Sequence, residues 1–117
     1  RQQFGKPIGS FQQIQAMLAA SYAELQAARL LVYRAAAAWD GRESSGGMLS
    51  SAAKMLATES AQKAIDRAVQ IHGGQGVRKG STVERLYREI RALRIYEGTT
   101  EIQRVVMSRG LLSGTGV

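Results

Sequence analysis

The chain has no cysteine and only one histidine and one proline among its 117 residues. Without cysteine it can form neither a disulfide nor a thiolate metal site. Its compartment stays open, because proteins in reducing and oxidising environments alike manage without thiols. The lone histidine, His72, excludes a multi-histidine metal centre, so no metal is expected. No uninterrupted apolar run approaches the roughly 20 residues that span a bilayer, and no secretory signal is visible. Acidic residues are also scarce, 9 against 16 Lys and Arg, which gives a net charge of +7. A basic balance favours anionic partners: nucleic acid, phosphate-bearing cofactors or acidic protein surfaces. The cations recur at helical spacing, however, and such a pattern ordinarily forms a solvated face.

What is present points to a packed helical protein. Hydrophobic residues make up 44% of the chain, and Pro7 sits near the start. The length suits one domain. The sequence starts at Arg1 rather than methionine and ends in Ser113-Gly114-Thr115-Gly116-Val117. It is expected to be a piece of a longer protein, with a helical domain over residues 1–112 and a flexible tail over 113–117.

Four helices account for most of the sequence. The first is expected from about Ile8 or Phe11 to Trp39. Leu18, Leu25, Val32 and Trp39 recur every seventh residue, with Ser21, Ala28 and Ala35 as small residues in the second seam position. The second runs from about Met48 to Ile71 or His72, with Ala52, Met55, Ala61, Ile65, Ala68 and Val69 inward. Gly73 or Gly74 suits the left-handed position that closes a helix. The third runs from about Thr82 to Ile95, capped at Ser81 or Thr82 with Glu84 following. Its apolar face is Val83, Leu86, Ile90 and Leu93. The fourth runs from about Thr100 to Leu112 and is expected to bury Ile102, Val105, Val106 and Leu112. No strand alternation of useful length and no repeat interrupts this pattern. Two long and two shorter helices imply an all-α, up-and-down four-helix bundle.

Four motifs carry chemistry. Arg1-Gln2-Gln3-Phe4-Gly5 precedes Gln12 at the start of the first helix. Arginine offers bidentate donors to phosphate, Phe4 could cover an aromatic ring, and Gln12 could bond a polar edge. The plain alternative is a frayed terminus before a proline-marked helix start. Gln70-Ile71-His72-Gly73-Gly74-Gln75-Gly76 lets a backbone approach another group closely. It follows a helix, so it is not a dinucleotide fingerprint. Val83-Glu84-Arg85-Leu86-Tyr87-Arg88-Glu89-Ile90-Arg91 holds a Glu84–Arg88 pair in the favoured i,i+4 order. Tyr96-Glu97-Gly98-Thr99-Thr100-Glu101-Ile102-Gln103 puts a carboxylate on a glycine turn between two helices. Read alone it is a helix joint, with Thr99 or Thr100 as N-cap and Glu101 as a first-turn acid.

In this order and spacing the four motifs resemble the C-terminal helical domain of the acyl-CoA dehydrogenase family, over nearly the whole chain. The resemblance implies an FAD-dependent enzyme that oxidises an acyl-CoA thioester to its 2,3-enoyl form. Glu97 matches the base that removes the α-proton. A carboxylate held in an apolar site beside the thioester is strengthened for that task. Gly98 matches a substrate-contacting position, and the backbone N–H of Glu97 matches a donor to the thioester carbonyl. Arg1, Gln12, Gln70, Ile71, His72, Gly73 and Gly74 match positions that reach the FAD of a neighbouring subunit. Thr99, Thr100 and Glu101 match contacts to the FAD of their own subunit. A homodimer or homotetramer follows for the intact enzyme, with electron-transferring flavoprotein as a redox partner, in bacterial cytoplasm or mitochondrial matrix. The domain by itself is expected to be inactive.

Two other readings compete. A basic DNA-binding domain would use the arginines at 85, 88, 91 and 94, but these recur every three residues and sweep around the helix, which disfavours nucleic acid. A structural oligomerisation module would leave the motifs vestigial.

Overall fold

The computed structural model describes residues 1–114. The expected tail thus lies outside the described residues from Thr115 onward, and Ser113 and Gly114 close the last helix in a turn. Four helices carry the fold: α1 (Gln12–Asp40), α2 (Gly46–His72), α3 (Thr82–Ala92) and α4 (Thr100–Leu112). The all-α architecture of two long and two shorter helices is the one expected. The described part is elongated, 57 × 26 × 23 Å.

Local chemistry explains the helix ends. The Ser81 hydroxyl accepts from the Glu84 N–H, and the Glu84 carboxylate accepts in return from the Gly80 N–H. That reciprocal arrangement is close to a capping box. Thr99 caps α4 by accepting from the Ile102 N–H. At the end of α2, Gly73 takes a positive φ of 61°, which a side chain would resist.

Packing centres on α2, which contacts each of the other three helices. The seam between α1 and α2 is made of small residues: Ala28, Ala35, Ala38 and Ala53 are buried, and so are Ser60 and Gly46. Small side chains let the two backbones approach closely. An ion pair ties the same helices together, Arg67 Nη1 reaching Glu24 at 2.7 Å and Nη2 reaching it at 3.0 Å. On α3 the expected face of Val83, Leu86, Ile90 and Leu93 is half-buried. Leu86, Ile90 and Leu93 close a groove against Leu25, Ala61 and Ile65.

Several expectations are corrected. α3 stops at Ala92 and the chain turns through Leu93–Ile95. On α4, Ile102, Val105, Val106 and Leu112 are exposed, while Thr100 and Gln103 are buried. The buried face of α4 instead follows Thr100, Gln103, Met107 and Gly110, with Gly110 close against Met48 of α2. Leu18, Leu25, Val32 and Trp39 of α1 also stand exposed. The α1–α2 contact runs along the alanines, which leaves the larger stripe on the outside.

The N-terminus is ordered by its own contacts. Gln2–Gln3 (β1) pairs antiparallel with Lys6–Pro7 (β2). The connection is Phe4 and Gly5, both with positive φ, as the twist of a two-residue hairpin requires. Phe4 packs edge-to-face on Phe11 at 6.2 Å, and Lys6 Nζ lies 4.6 Å from the Phe11 ring centre.

Candidate active site

The turn between α3 and α4 is built in a demanding conformation. Glu97 has φ 55° and Gly98 has φ 85°, so two successive residues are left-handed. For a residue with a side chain this costs about 1–2 kcal/mol. Two side chains hold the turn there. Lys54 Nζ, from α2, donates to the Gly98 carbonyl at 2.6 Å and to the Tyr96 carbonyl at 3.4 Å. Gln103 Nε2, from α4, donates to the Gly98 carbonyl at 3.1 Å and to the Glu97 carbonyl at 3.4 Å. A Cβ on residue 98 would meet that Gln103 amide at 2.5 Å, so Gly98 is fixed by space as well as by φ.

These contacts draw three successive carbonyls inward. In a trans peptide the N–H points opposite to its carbonyl. The N–H groups of Glu97, Gly98 and Thr99 therefore face away from Lys54 and Gln103, and none of them meets an acceptor among the described residues. Successive outward N–H groups form a concave donor for an anion or a polarised carbonyl oxygen. The Glu97 side chain is exposed beside them, with no ion-pair partner among the described residues.

A second layer anchors the turn at its base. Glu59 Oε1 accepts from Arg94 Nε at 2.7 Å and from the Thr100 hydroxyl at 3.0 Å, while the Thr100 N–H donates to the Arg94 carbonyl. Thr100 is only 2% exposed, and both its donors are used inside the chain. Glu101 is exposed. Its carboxyl sits below the usual carboxylate range, held there first by its own backbone N–H and then by the Thr99 hydroxyl.

A separate cluster gathers the remaining candidate residues. Arg1 Nη1 donates to the His72 carbonyl and Nη2 to the Ile71 carbonyl, each at 3.3 Å. The guanidinium lies so close to Gly73 that a Cβ there would stand 2.7 Å from Nη1. Arg1 thus caps the C-terminal end of α2, where cations are favoured. Only part of its donor fork is used. Arg1, Phe4, Phe11 and Gln12 line a cavity of about 540 Å³. Gln70 and Gly74 are exposed at the same helix end. The structure therefore joins the first two motifs into one place. Lys54 and Ile71, the contacts of the two clusters on α2, are seventeen residues apart, roughly 25 Å along the helix.

Lys54, Glu59 and the role of Gln103 are absent from the motif reading. A signal for two of them exists: Lys54 falls seven before Ala61 and eleven before Ile65, and Glu59 falls seven after Ala52. Charged residues inside an apolar helical stripe imply a partner. The arginine ladder, in contrast, is largely occupied. Arg88 pairs with Glu84, Arg85 with Glu89 and Arg94 with Glu59.

Comparison with known proteins places the chain. Residues 1–112 match the family model described as acyl-CoA dehydrogenase, C-terminal domain. A probable acyl-CoA dehydrogenase from Mycobacterium leprae is 47% identical over 112 residues, covering 96% of this chain and 29% of that protein. The solved butyryl-CoA dehydrogenase from Megasphaera elsdenii superposes with a TM-score of 0.91 at 38% identity, over 96% of this chain and 29% of that one. An FAD complex of PigA superposes with a TM-score of 0.89 at 31% identity, over 95% of this chain and 29% of that one. Fold and matches together define a C-terminal helical domain. The chain belongs to the acyl-CoA dehydrogenase family, as its C-terminal domain. It spans about 29% of the length of the curated relatives it matches. Among the described residues no helix is long and apolar enough to cross a membrane.

Proposed function

We propose that this domain completes an FAD-dependent acyl-CoA dehydrogenase that oxidises an acyl-CoA thioester to the 2,3-enoyl thioester, with Glu97 as the base. The observation that carries this reading is the Glu97 turn: an exposed, unpaired carboxylate beside N–H groups turned outward by Lys54 and Gln103. The carboxylate takes the α-proton, and the Glu97 N–H receives the thioester oxygen as negative charge develops on it. The Gly98 N–H lies next in line, which suits that residue to contact substrate. FAD, when bound, supplies the acceptor for the β-hydride.

The residues present fit that cofactor in two places. Arg1 keeps free donors for a phosphate beside the Gly73 backbone, and Phe4 and Gln12 share its cavity. Gln70, Ile71, His72, Gly73 and Gly74 offer the adjoining backbone. Thr99 and Glu101 line the turn, which Thr100 anchors from within through Glu59. The roughly 25 Å between the clusters supports assigning them to two FAD molecules, one belonging to a neighbouring subunit. That arrangement makes the intact enzyme a homodimer or homotetramer, with an electron-transferring flavoprotein as redox partner. Its compartment is bacterial cytoplasm or mitochondrial matrix. The ion pairs along the arginine ladder weigh against a DNA-binding role.

The test is Glu97→Gln in the full-length enzyme. FAD is retained, but bleaching of the flavin by acyl-CoA falls by roughly a thousandfold or more. Bleaching at the unmodified rate would overturn the assignment.

A further inference from the structure

We propose that Lys54 is a positioning residue for the reaction: its ammonium sets the direction in which the Glu97 N–H faces. This inference rests on the reading of Glu97 as base. Its physical basis lies in how the turn is held. Gln103 grips the carbonyls of Glu97 and Gly98, and Lys54 shares the Gly98 carbonyl with it. The Tyr96 carbonyl is different. Among the described residues, Lys54 is its only donor. The plane of the Tyr96–Glu97 peptide is therefore set by Lys54, and that plane carries the Glu97 N–H.

The strain in the turn gives the contact its force. Glu97 stands at φ 55° without being a glycine, so its backbone gains by returning to negative φ. Rotation of the Tyr96–Glu97 peptide permits that return, and the same rotation swings the Glu97 N–H inward. A charged donor at 2.6 Å from one end of the turn and 3.4 Å from the other opposes it. An apolar side chain of similar length would leave the peptide free to turn over. Lys54 is half-buried and reaches the turn from α2, the central helix, so its anchor point is rigid. Nothing places it against the substrate, and its action runs through the backbone of residues 96–98.

The experiment uses the full-length, FAD-loaded enzyme with Lys54→Met, Lys54→Gln and Lys54→Arg. In Lys54→Met, kcat for flavin reduction is expected to fall roughly a hundredfold, with KM changing less than about threefold, as for loss of one oxyanion donor. The carbonyl stretch of a bound acyl thioester, read by infrared difference spectroscopy, is expected to lose most of its shift to lower frequency. A role in stability alone would lower the melting temperature and leave that frequency in place. Lys54→Gln, shorter and neutral, is expected to show the same losses in smaller measure, and it carries the test if Lys54→Met does not fold. Lys54→Arg, which restores a cationic donor, is expected to recover part of both signals. An unmodified kcat and carbonyl shift in a folded Lys54→Met or Lys54→Gln enzyme would overturn the proposal. Glu97→Gln separates the two claims. If it bleaches normally, the base assignment fails; if it is inactive while the Lys54 variants behave as the parent enzyme, only the positioning role fails.

Discussion

Replacing Gly98 by alanine perturbs the candidate site through two terms that the structure keeps apart. At φ 85° an alanine pays the left-handed cost, about 1–2 kcal/mol. Its Cβ would also stand 2.5 Å from Gln103 Nε2 and displace that amide. Gln103 would then lose its bonds to the Glu97 and Gly98 carbonyls, at about 1 kcal/mol each. Gly98→Ala should therefore destabilise the domain by about 3–4 kcal/mol. In a Gln103→Ala background the amide is already gone and only the backbone term remains, about 1–2 kcal/mol. The double-mutant cycle should thus show a coupling of about 2 kcal/mol. Urea unfolding of the four variants, followed by far-UV circular dichroism, measures it. If Gly98→Ala costs the same with or without Gln103, the two residues do not meet as described and the reasoning about the turn is wrong.

The remaining predictions concern the second cluster and the α1–α2 seam. Arg1→Ala should change domain stability by no more than about 0.5 kcal/mol, because its bonds are exposed. It should still weaken FAD retention by the full-length enzyme, roughly tenfold or more. Flavin fluorescence on dilution reads this, and unchanged retention would remove Arg1 from the cofactor site. The Arg67 guanidinium holds the Glu24 carboxyl below its usual range, chiefly by hydrogen bonding. A carboxyl lowered in the folded state adds stability that is present above its unfolded value and lost as pH falls through its folded value. Stability should therefore decline below about pH 4.5, and Arg67→Met should flatten that decline by about 0.5–1 kcal/mol. Urea midpoints taken between about pH 6 and about pH 3 test it, and identical acid slopes in the two proteins would contradict the pairing.

Where a feature depends on neighbours in the chain, the sequence was a sufficient guide. Capping and positive φ are local chemistry, so the helix ends were narrowed to Ser81 or Thr82, Thr99 or Thr100, and Gly73 or Gly74, of which the structure takes Ser81, Thr99 and Gly73. The four motifs lie on the helices and turns expected of them, although only the structure joins Arg1 to the end of α2. What the sequence concealed depends on tertiary choice. The end of α3 at Ala92 reflects Arg94, which turns its side chain to Glu59 and its carbonyl to the Thr100 N–H. The exposed Leu18, Leu25, Val32 and Trp39 have the period of a core stripe, yet α1 packs through its alanines. Periodicity finds an apolar face but does not say which partner takes it. Lys54 was hidden for a similar reason. A half-buried lysine can be read as a snorkelling side chain until the carbonyls of Tyr96 and Gly98 are seen beside it.

The central claim, that Glu97 removes a proton from the carbon next to a thioester, is tested most directly by isotope exchange. The full-length enzyme would be given, in deuterium oxide, an acyl-CoA analogue that cannot release a β-hydride. Mass spectrometry then follows deuterium entering the α-position. The enzyme with Glu97 should exchange that hydrogen, and Glu97→Gln, with FAD still bound, should exchange it at least roughly a hundredfold more slowly. Equal exchange by the two proteins would show that the proton is taken by another group.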